Sequence, residues 1–452
     1  MSNVVQEHAT ILPLLSRALH QIRSTPPRVI ASPATQPRRA AVALIIRIAP
    51  PPTYPLQPST STQPVTTDLT EFFKLDWVNS PGARPEILFL QRENPQESSN
   101  GGRMNETGQG IREAHVAFPG GRTESDDENG MYTAMRQTWE EIGLDLAEPA
   151  YLPIGQLDDR EITTSLGKRL LMILSPFIFL QVTPHTTPVD PAAGTTLHWV
   201  PLTELVPDIL TTRTSNGKGK TKAGKQHSEL REPRPRWSSV TVDASSRLAS
   251  RHSPILRLLI KVLVGNMTFP AILIDPAVTT TIPSLLADEK SIDAKRARIE
   301  NGHPSSHLPK KRRGNEELKL WGLSLGMTLD LLAQMTPAAN SNATGALVPP
   351  ETASDTIAIP VLAPSLTSVL PRFSYPDVNF WIWVFGKRYR EVVRGWEASV
   401  RAGGVNDRRI NWTGSALSTF YAAVRKALVV VIVVRAIWIL LGIVFGAWLL
   451  FW

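Results

Sequence analysis

Residues 118–144 read Phe118-Pro119-Gly120-Gly121-Arg122-Thr123-Glu124-Ser125-Asp126-Asp127-Glu128-Asn129-Gly130-Met131-Tyr132-Thr133-Ala134-Met135-Arg136-Gln137-Thr138-Trp139-Glu140-Glu141-Ile142-Gly143-Leu144. Pro119-Gly120-Gly121 is a turn, the acid-rich residues after it are a loop, and a helix is predicted from about 129 to 142. Gly143 is well placed to end it. Residues three and four apart on a helix share a face, so Arg136, Gln137, Glu140 and Glu141 cluster. A Glu-Glu pair on an ordinary amphipathic helix is the plain alternative. The glycine turn and the arginine favour a site instead. Adjacent carboxylates facing one cleft repel, and a hard divalent cation between them removes the conflict. The glycines let backbone approach such an ion closely, and Arg136 can pin a loop carboxylate to the helix.

Working outward, residues 113–118 read as a short strand leading into the turn. Residues 86–91 form a strand before it, and the apolar run at 40–48 reads as a buried strand. Further strands are expected at 151–156 and 169–182, and Trp199–Leu205 closes a strand and opens a short helix. A short helix is expected at 68–78. The apolar stretch 255–274 reads as helix then strand. Leu318, Trp321, Leu325, Leu329 and Leu332 recur at helical spacing and predict a core-packing helix. Residues 93–112 read as a loop, and residues 213–236 and 287–317 as disordered insertions. The first insertion holds eight basic residues against two acidic ones. Residues 336–370 read as a linker, and residues 1–39, with prolines at 26, 27, 33 and 37, as a disordered N-terminal segment.

The stretch from Gly121 to Leu144 resembles the Nudix box, G-x5-E-x7-R-E-U-x-E-E-x-G-U, matching at Gly121, Arg136, Glu140, Glu141, Gly143 and Leu144. The resemblance implies an α/β fold, an α/β/α sandwich with a mixed sheet, over residues 40–335. It also implies a pyrophosphatase that uses Mg2+ or Mn2+ on a small-molecule diphosphate substrate. Glu140 and Glu141 would hold the metal, assisted by the Gly120 carbonyl and a loop acid. That acid is Asp127 counted from Gly121, or Glu128 counted back from Arg136. Gly120 and Gly121 would form the phosphate loop. The chain departs from the box at Gln137, where the family has glutamate, since an amide carries no charge and cannot act as a base. Asp158, Asp159 and Glu161 are candidates to supply a missing ligand or base. The Phe118-Pro119-Gly120-Gly121 run after the Leu88–Arg92 strand is similar to the coenzyme A diphosphatase branch. That branch's arginine-and-glycine signature is displaced here, with Arg112 at a different offset, so coenzyme A is an analogy. The rival expectation is a hydrolysis-deficient, membrane-anchored nucleotide-binding or scaffold protein.

The formal net charge is +8, there are 38 prolines, and there are no cysteines. Disulfides, thiolate metal sites and a cysteine nucleophile are thereby excluded. Residues 427–452 are apolar apart from Arg435 and read as a transmembrane tail anchor, with Arg435 snorkelling toward the headgroups. Gly442 and Gly446 form a small-xxx-small pair that would suit a homodimer. The juxtamembrane region 371–426 is basic. Between 387 and 426, nine basic residues face three acidic ones, which predicts a cytosol-facing domain. Phe380, Trp381, Trp383 and Phe385 are expected either at the membrane interface or packed on the domain. Lys310-Lys311-Arg312-Arg313 would suit a nuclear import signal, but nucleic acid is not the expected partner.

Overall fold

Ile11, Leu15, Ala18, Leu19 and Ile22 recur three and four residues apart, and all five are buried on helix α1 (Ser2–Ser24). The expectation of disorder over 1–39 is therefore corrected. Pro26 and Pro27 lie beyond the helix end, and Pro13 is accommodated inside it. Burial of one apolar stripe outweighs what proline costs locally. The structure, a computed structural model, describes residues 2–32, 38–51, 54, 68–92, 112–163, 170–184, 188–206, 234–245, 253–282, 316–335, 368, 370–401 and 412–451. The expected loop at 93–112, the insertions at 213–236 and 287–317 and the linker at 336–370 lie outside these residues, apart from a few positions at their edges.

The other elements, in chain order, begin with β1 (Arg39–Ala49), α2 (Leu69–Phe72), β2 (Arg84–Arg92), β3 (Arg112–Ala117), β4 (Gly120–Arg122) and α3 (Gly130–Ile142). Then come β5 (Tyr151–Gln156), β6 (Arg160–Thr163), β7 (Leu170–Gln181), β8 (Thr195–Pro201), β9 (Trp237–Asp243) and α4 (Pro254–Leu263). They are followed by β10 (Asn266–Ile274), β11 (Thr280–Ile282), β12 (Glu316–Trp321), α5 (Gly322–Met335) and β13 (Arg372–Phe373). The chain closes with α6 (Pro376–Phe385), α7 (Lys387–Arg401) and α8 (Trp412–Phe451). Leu318 and Trp321, read above as helical, belong to β12, and the helix starts only at Gly322, whose positive φ turns the chain. The strand signal lay in Leu318 and Leu320, two residues apart and both buried, which the three-residue step from Leu318 to Trp321 masked.

Among the described residues the strands form one mixed sheet, ordered β13-β10-β12-β3-β2-β1-β7-β5, with the remaining strands joined to its members. The pairs β1·β7 and β12·β3 are parallel. Strand β1 is apolar on both faces because both are covered. Leu44, Ile46 and Ile48 pack with Ile11, Leu15 and Leu19 of α1 and Leu325, Leu329 and Leu332 of α5. Ala41, Ala43 and Ile45 pack on the other face with Ala134 and Ile142 of α3. The result is a helix–sheet–helix layering.

The sheet is split where the site forms. Strand β2 pairs with β1 over Arg84–Ile87, then leaves it for β3 at Leu90 and Gln91. The first residues of β1, Ala40–Val42, pair with β4 in its place. Phe118 fills the divergence beneath Phe89, with ring centroids 4.8 Å apart, and the Ala43 amide donates to the Pro119 carbonyl at 3.0 Å. A charged pair lies within the sheet: Arg47 donates twice to the fully buried Glu86, at 2.9 and 2.7 Å, and stacks 4.0 Å over Trp199. Burial pulls the Arg47 guanidinium below its ordinary pKa, against the attraction of Glu86.

Helix α8 is long and apolar enough to cross a membrane. Its first half is packed: Phe420, Val424, Leu428 and Val431 are buried with Val378 of α6 and with Leu263 and Val264 at the end of α4. Beyond Arg435 its side chains are exposed, with open space above Gly442 and Gly446. The helix therefore begins fifteen residues before the expected start at 427, and Val378, Trp381, Ile382 and Tyr389 of the preceding basic region pack against its first half. Arg435 does not snorkel. It donates to both oxygens of Asp377, at 2.9 and 2.7 Å, and to the Leu263 carbonyl. Its guanidinium also lies 4.3 Å from the centre of the Tyr375 ring.

Candidate functional site

The site is built where β4 enters the gap between β1 and β2. Gly120 has φ +149°, and a Cβ there would come within 2.4 Å of the Ala41 carbonyl oxygen. Only glycine can bring the chain so close to β1. Gly121 has a different role. A Cβ on it would fall 1.9 Å from Gln137 Oε1, so its bare Cα leaves a cradle that the Gln137 amide fills.

Helix α3 presents the polar side chains to this turn. Asn129 caps its first turn by accepting from the Tyr132 amide at 2.9 Å. Gly143 ends it in the left-handed conformation and donates to the Trp139 carbonyl at 2.8 Å. Ala134, Thr138 and Ile142 are buried against the sheet, which turns Arg136, Gln137, Glu140 and Glu141 toward β4 and the loop before the helix.

Arg136 fastens that loop. Its Nε and Nη2 donate to the two oxygens of Asp127 at 2.7 and 2.9 Å, and its Nη1 reaches Glu140 at 2.9 Å and Glu124 at 3.2 Å. Asp127, its side chain 1% exposed, also accepts from the Glu124 amide and the Thr133 hydroxyl, each at 2.9 Å. The Arg136 hydrogen bonds hold this carboxyl well below the usual carboxylate range, and Asp127 in turn raises the Arg136 pKa. Of the two loop acids, Asp127 pairs with Arg136, while Glu128 is exposed. With its oxygens committed inward, Asp127 locks the loop rather than offering a free ligand.

The carboxylates at 140 and 141 are each engaged by a different guanidinium. Glu140, half exposed, accepts from Arg136 and from the Gln137 amide nitrogen at 2.8 Å. Glu141, 23% exposed, accepts from the Gly120 amide at 3.2 Å and from Arg92 at 2.9 and 2.5 Å. Glu141 is thus tied to the glycine turn, and Glu140 to Gln137 and to the arginine that locks the loop, from adjacent positions of one helix. Arg92 was missed as a site residue because it lies 49 residues from Glu141 in sequence. The available signal was a basic residue ending β2 just before a glycine-rich segment.

Asp158 and Asp159 are not brought to this assembly. Asp158 accepts from the Arg28 amide at 2.8 Å. The buried Asp159 accepts from Arg39 at 2.6 Å, from Gln156 and Ser175 at 2.7 Å each, and from the Ile30 amide at 2.9 Å. They hold Arg28, Ile30 and Arg39 in place, and Glu161 lies on β6, paired with Ile173.

Two carboxylates and the Gln137 carbonyl are all hard oxygen donors, which suits a divalent cation. Among the described residues no three His, Cys, Asp or Glu side chains come together to hold an ion. Glu140 and Glu141, each ion-paired with an arginine, and the Gln137 carbonyl are the oxygen donors on this face of the helix, and the neutral amide at 137 adds no third carboxylate to them.

No family model matches the chain. A Schizosaccharomyces pombe protein described as uncharacterized protein C14C4.10c is 27% identical over 168 residues, covering 37% of this chain. The chain spans 43% of that protein's length. A crystal structure of a MutT/nudix family protein from Enterococcus faecalis overlaps 36% of this chain and 44% of its own, at 12% identity and a TM-score of 0.19. An overlap at that TM-score carries no argument about fold or chemistry.

Proposed function

We propose that this chain is a Nudix-type hydrolase that cleaves the diphosphate linkage of a nucleoside diphosphate derivative, coenzyme A among the candidates, while tethered to a membrane by α8. One observation carries the reading: the Glu140–Glu141 face of α3 is tied at both carboxylates, Glu141 to the amide of the glycine turn and Glu140 to the arginine that locks the loop through Asp127. Bound Mg2+ or Mn2+ would be held by Glu140 and Glu141, with the Gly120 and Gln137 carbonyls assisting, and would supply Lewis-acid stabilisation and an acidified water.

The chain's own groups do the rest. The glycine turn lets phosphate oxygens approach the backbone without meeting a Cβ. Arg92, ion-paired with Glu141 in the free chain, would exchange that partner for a phosphate oxygen, which a planar guanidinium binds well. Arg136 keeps the loop and the helix in register, so the carboxylates need not reorganise as charge develops. The excess of basic residues between 387 and 426 supports a cytosol-facing site.

A second reading rests on Gln137. A neutral amide cannot take a proton from water, so the site would bind a nucleotide diphosphate without cleaving it. The full chain in detergent, incubated with coenzyme A or ADP-ribose and Mn2+, separates the two. Phosphate-ester products that disappear in Glu141→Gln support the hydrolase. Ligand binding with no product at any pH supports the second reading, and neither binding nor product defeats both.

A further inference from the structure

We infer that α6 is embedded in the membrane alongside α8, so that the Asp377–Arg435 ion pair lies within the bilayer and its edge falls near Lys387 and Lys426. This rests on the membrane tether proposed above and specifies its depth and its second helix. Helix α6, Pro-Asp-Val-Asn-Phe-Trp-Ile-Trp-Val-Phe, carries one charge, Asp377. From Ala427 to Phe451, α8 also carries one charge, Arg435. These two residues, 58 apart in sequence, form a two-pronged pair. Charged groups inside a bilayer are costly, and where they occur they pair with one another. The Leu263 carbonyl and the Tyr375 ring are further partners of the guanidinium, whose side chain is 22% exposed against 44% for Asp377. The other strongly polar side chain of α6, Asn379, is paired at both ends of its amide: it donates to the Phe373 carbonyl at 2.7 Å and accepts from the Phe373 amide at 3.0 Å.

The levels along α8 follow from its partners. Residue 377 meets 435, and the Tyr389 ring lies 5.4 Å from Phe420. Helices α6 and α7 therefore run antiparallel to α8, which places Phe380 and Trp383 beside the stretch from about 428 to 432. Both rings are open, at 55% and 63% exposure, and so are Val429 and Val433 at the same level. A bilayer edge drawn at Arg435 would leave this apolar band in water. Directly below it come the exposed Lys387, Arg388 and Lys426, and Arg390 stacks 5.0 Å from the Trp383 ring. Along α6, α7 and α8, moving away from the exposed end of α8, the order is apolar helix, partly exposed ion pair, apolar-aromatic band, then basic residues, with the exposed Lys261 and Arg372 near the ion pair. The order along these three helices is that of a bilayer half ending in anionic headgroups.

The chain has no cysteine, so single cysteines can carry an environment-sensitive fluorophore. Full-length Phe380→Cys, Val433→Cys, Ile439→Cys and Glu148→Cys would be reconstituted in vesicles of phosphatidylcholine with one-fifth phosphatidylserine. Spin-labelled lipid should quench the probes at 380, 433 and 439 at least about twofold more than the probe at 148. Aqueous iodide should quench only the probe at 148. Probes at 380 and 433 that stay accessible to iodide, with 439 in lipid, overturn the embedding of α6 and leave the tether standing. If 439 is also accessible, the tether fails and this inference fails with it.

Discussion

Asp127 is the residue on which the geometry of the candidate site turns. Its carboxyl is depressed by the Arg136 hydrogen bonds, so its contribution to stability is complete above about pH 4, where the same group in the unfolded chain is ionised. That contribution is lost as pH falls from there through the lower folded value. Asp127→Asn should cost roughly 3 kcal/mol at pH 7, measured by denaturant unfolding, and the variant should lose less further stability below pH 4 than the unaltered chain. The two glycines of the turn separate by the same measurement. Gly120→Ala meets backbone and needs a φ that alanine resists, so it should cost about 2 kcal/mol or more. Gly121→Ala meets only the flexible end of Gln137 and should cost less than about 1 kcal/mol. Most of the α3 face was legible in the sequence, because helical spacing alone gathers Arg136, Gln137, Glu140 and Glu141. The ion pair of Glu141 with Arg92 was not, since nothing local links a strand end to a helix 49 residues later.

Elements were legible where burial writes a continuous signal. Strands β1, β2, β5 and β7 fall within a residue or two of their expected bounds, because they are covered on both faces or flanked by polar turns. Helix α1 was hidden by prolines, since its stabilisation comes from α5 and the sheet rather than from its own propensity. Leu15→Ala should therefore lower stability by roughly 3 kcal/mol, as a fully buried leucine does, and a change near zero in the denaturation midpoint would show that α1 is not part of the core. The division of β12 from α5 was missed because the step from 318 to 321 continues the helical spacing of 325, 329 and 332. Pairing with β3 and β10 made the choice.

At the scale of the whole molecule, the layered α/β body and the apolar helix α8 meet through α4, α6 and the Arg435–Asp377 pair. A lone arginine in an apolar run reads from sequence as a snorkelling side chain, and its partner 58 residues earlier becomes visible only when the helices are packed. Asp377→Asn leaves the guanidinium without its counter-charge and should reduce the membrane-inserted fraction, by an amount equivalent to about 2–3 kcal/mol. Asp377→Asn with Arg435→Leu should recover it, which membrane flotation would measure. The chemistry at the other end of the molecule stands on the polar assembly at the glycine turn, and its weakest member is the neutral amide at 137. The most direct measurement is Mn2+-dependent turnover of ADP-ribose by full-length Gln137→Glu against the unaltered chain. We predict a rise of at least about tenfold that Glu141→Gln removes. Equal turnover in the two, unaffected by Glu141→Gln, would contradict a hydrolytic centre on this helix.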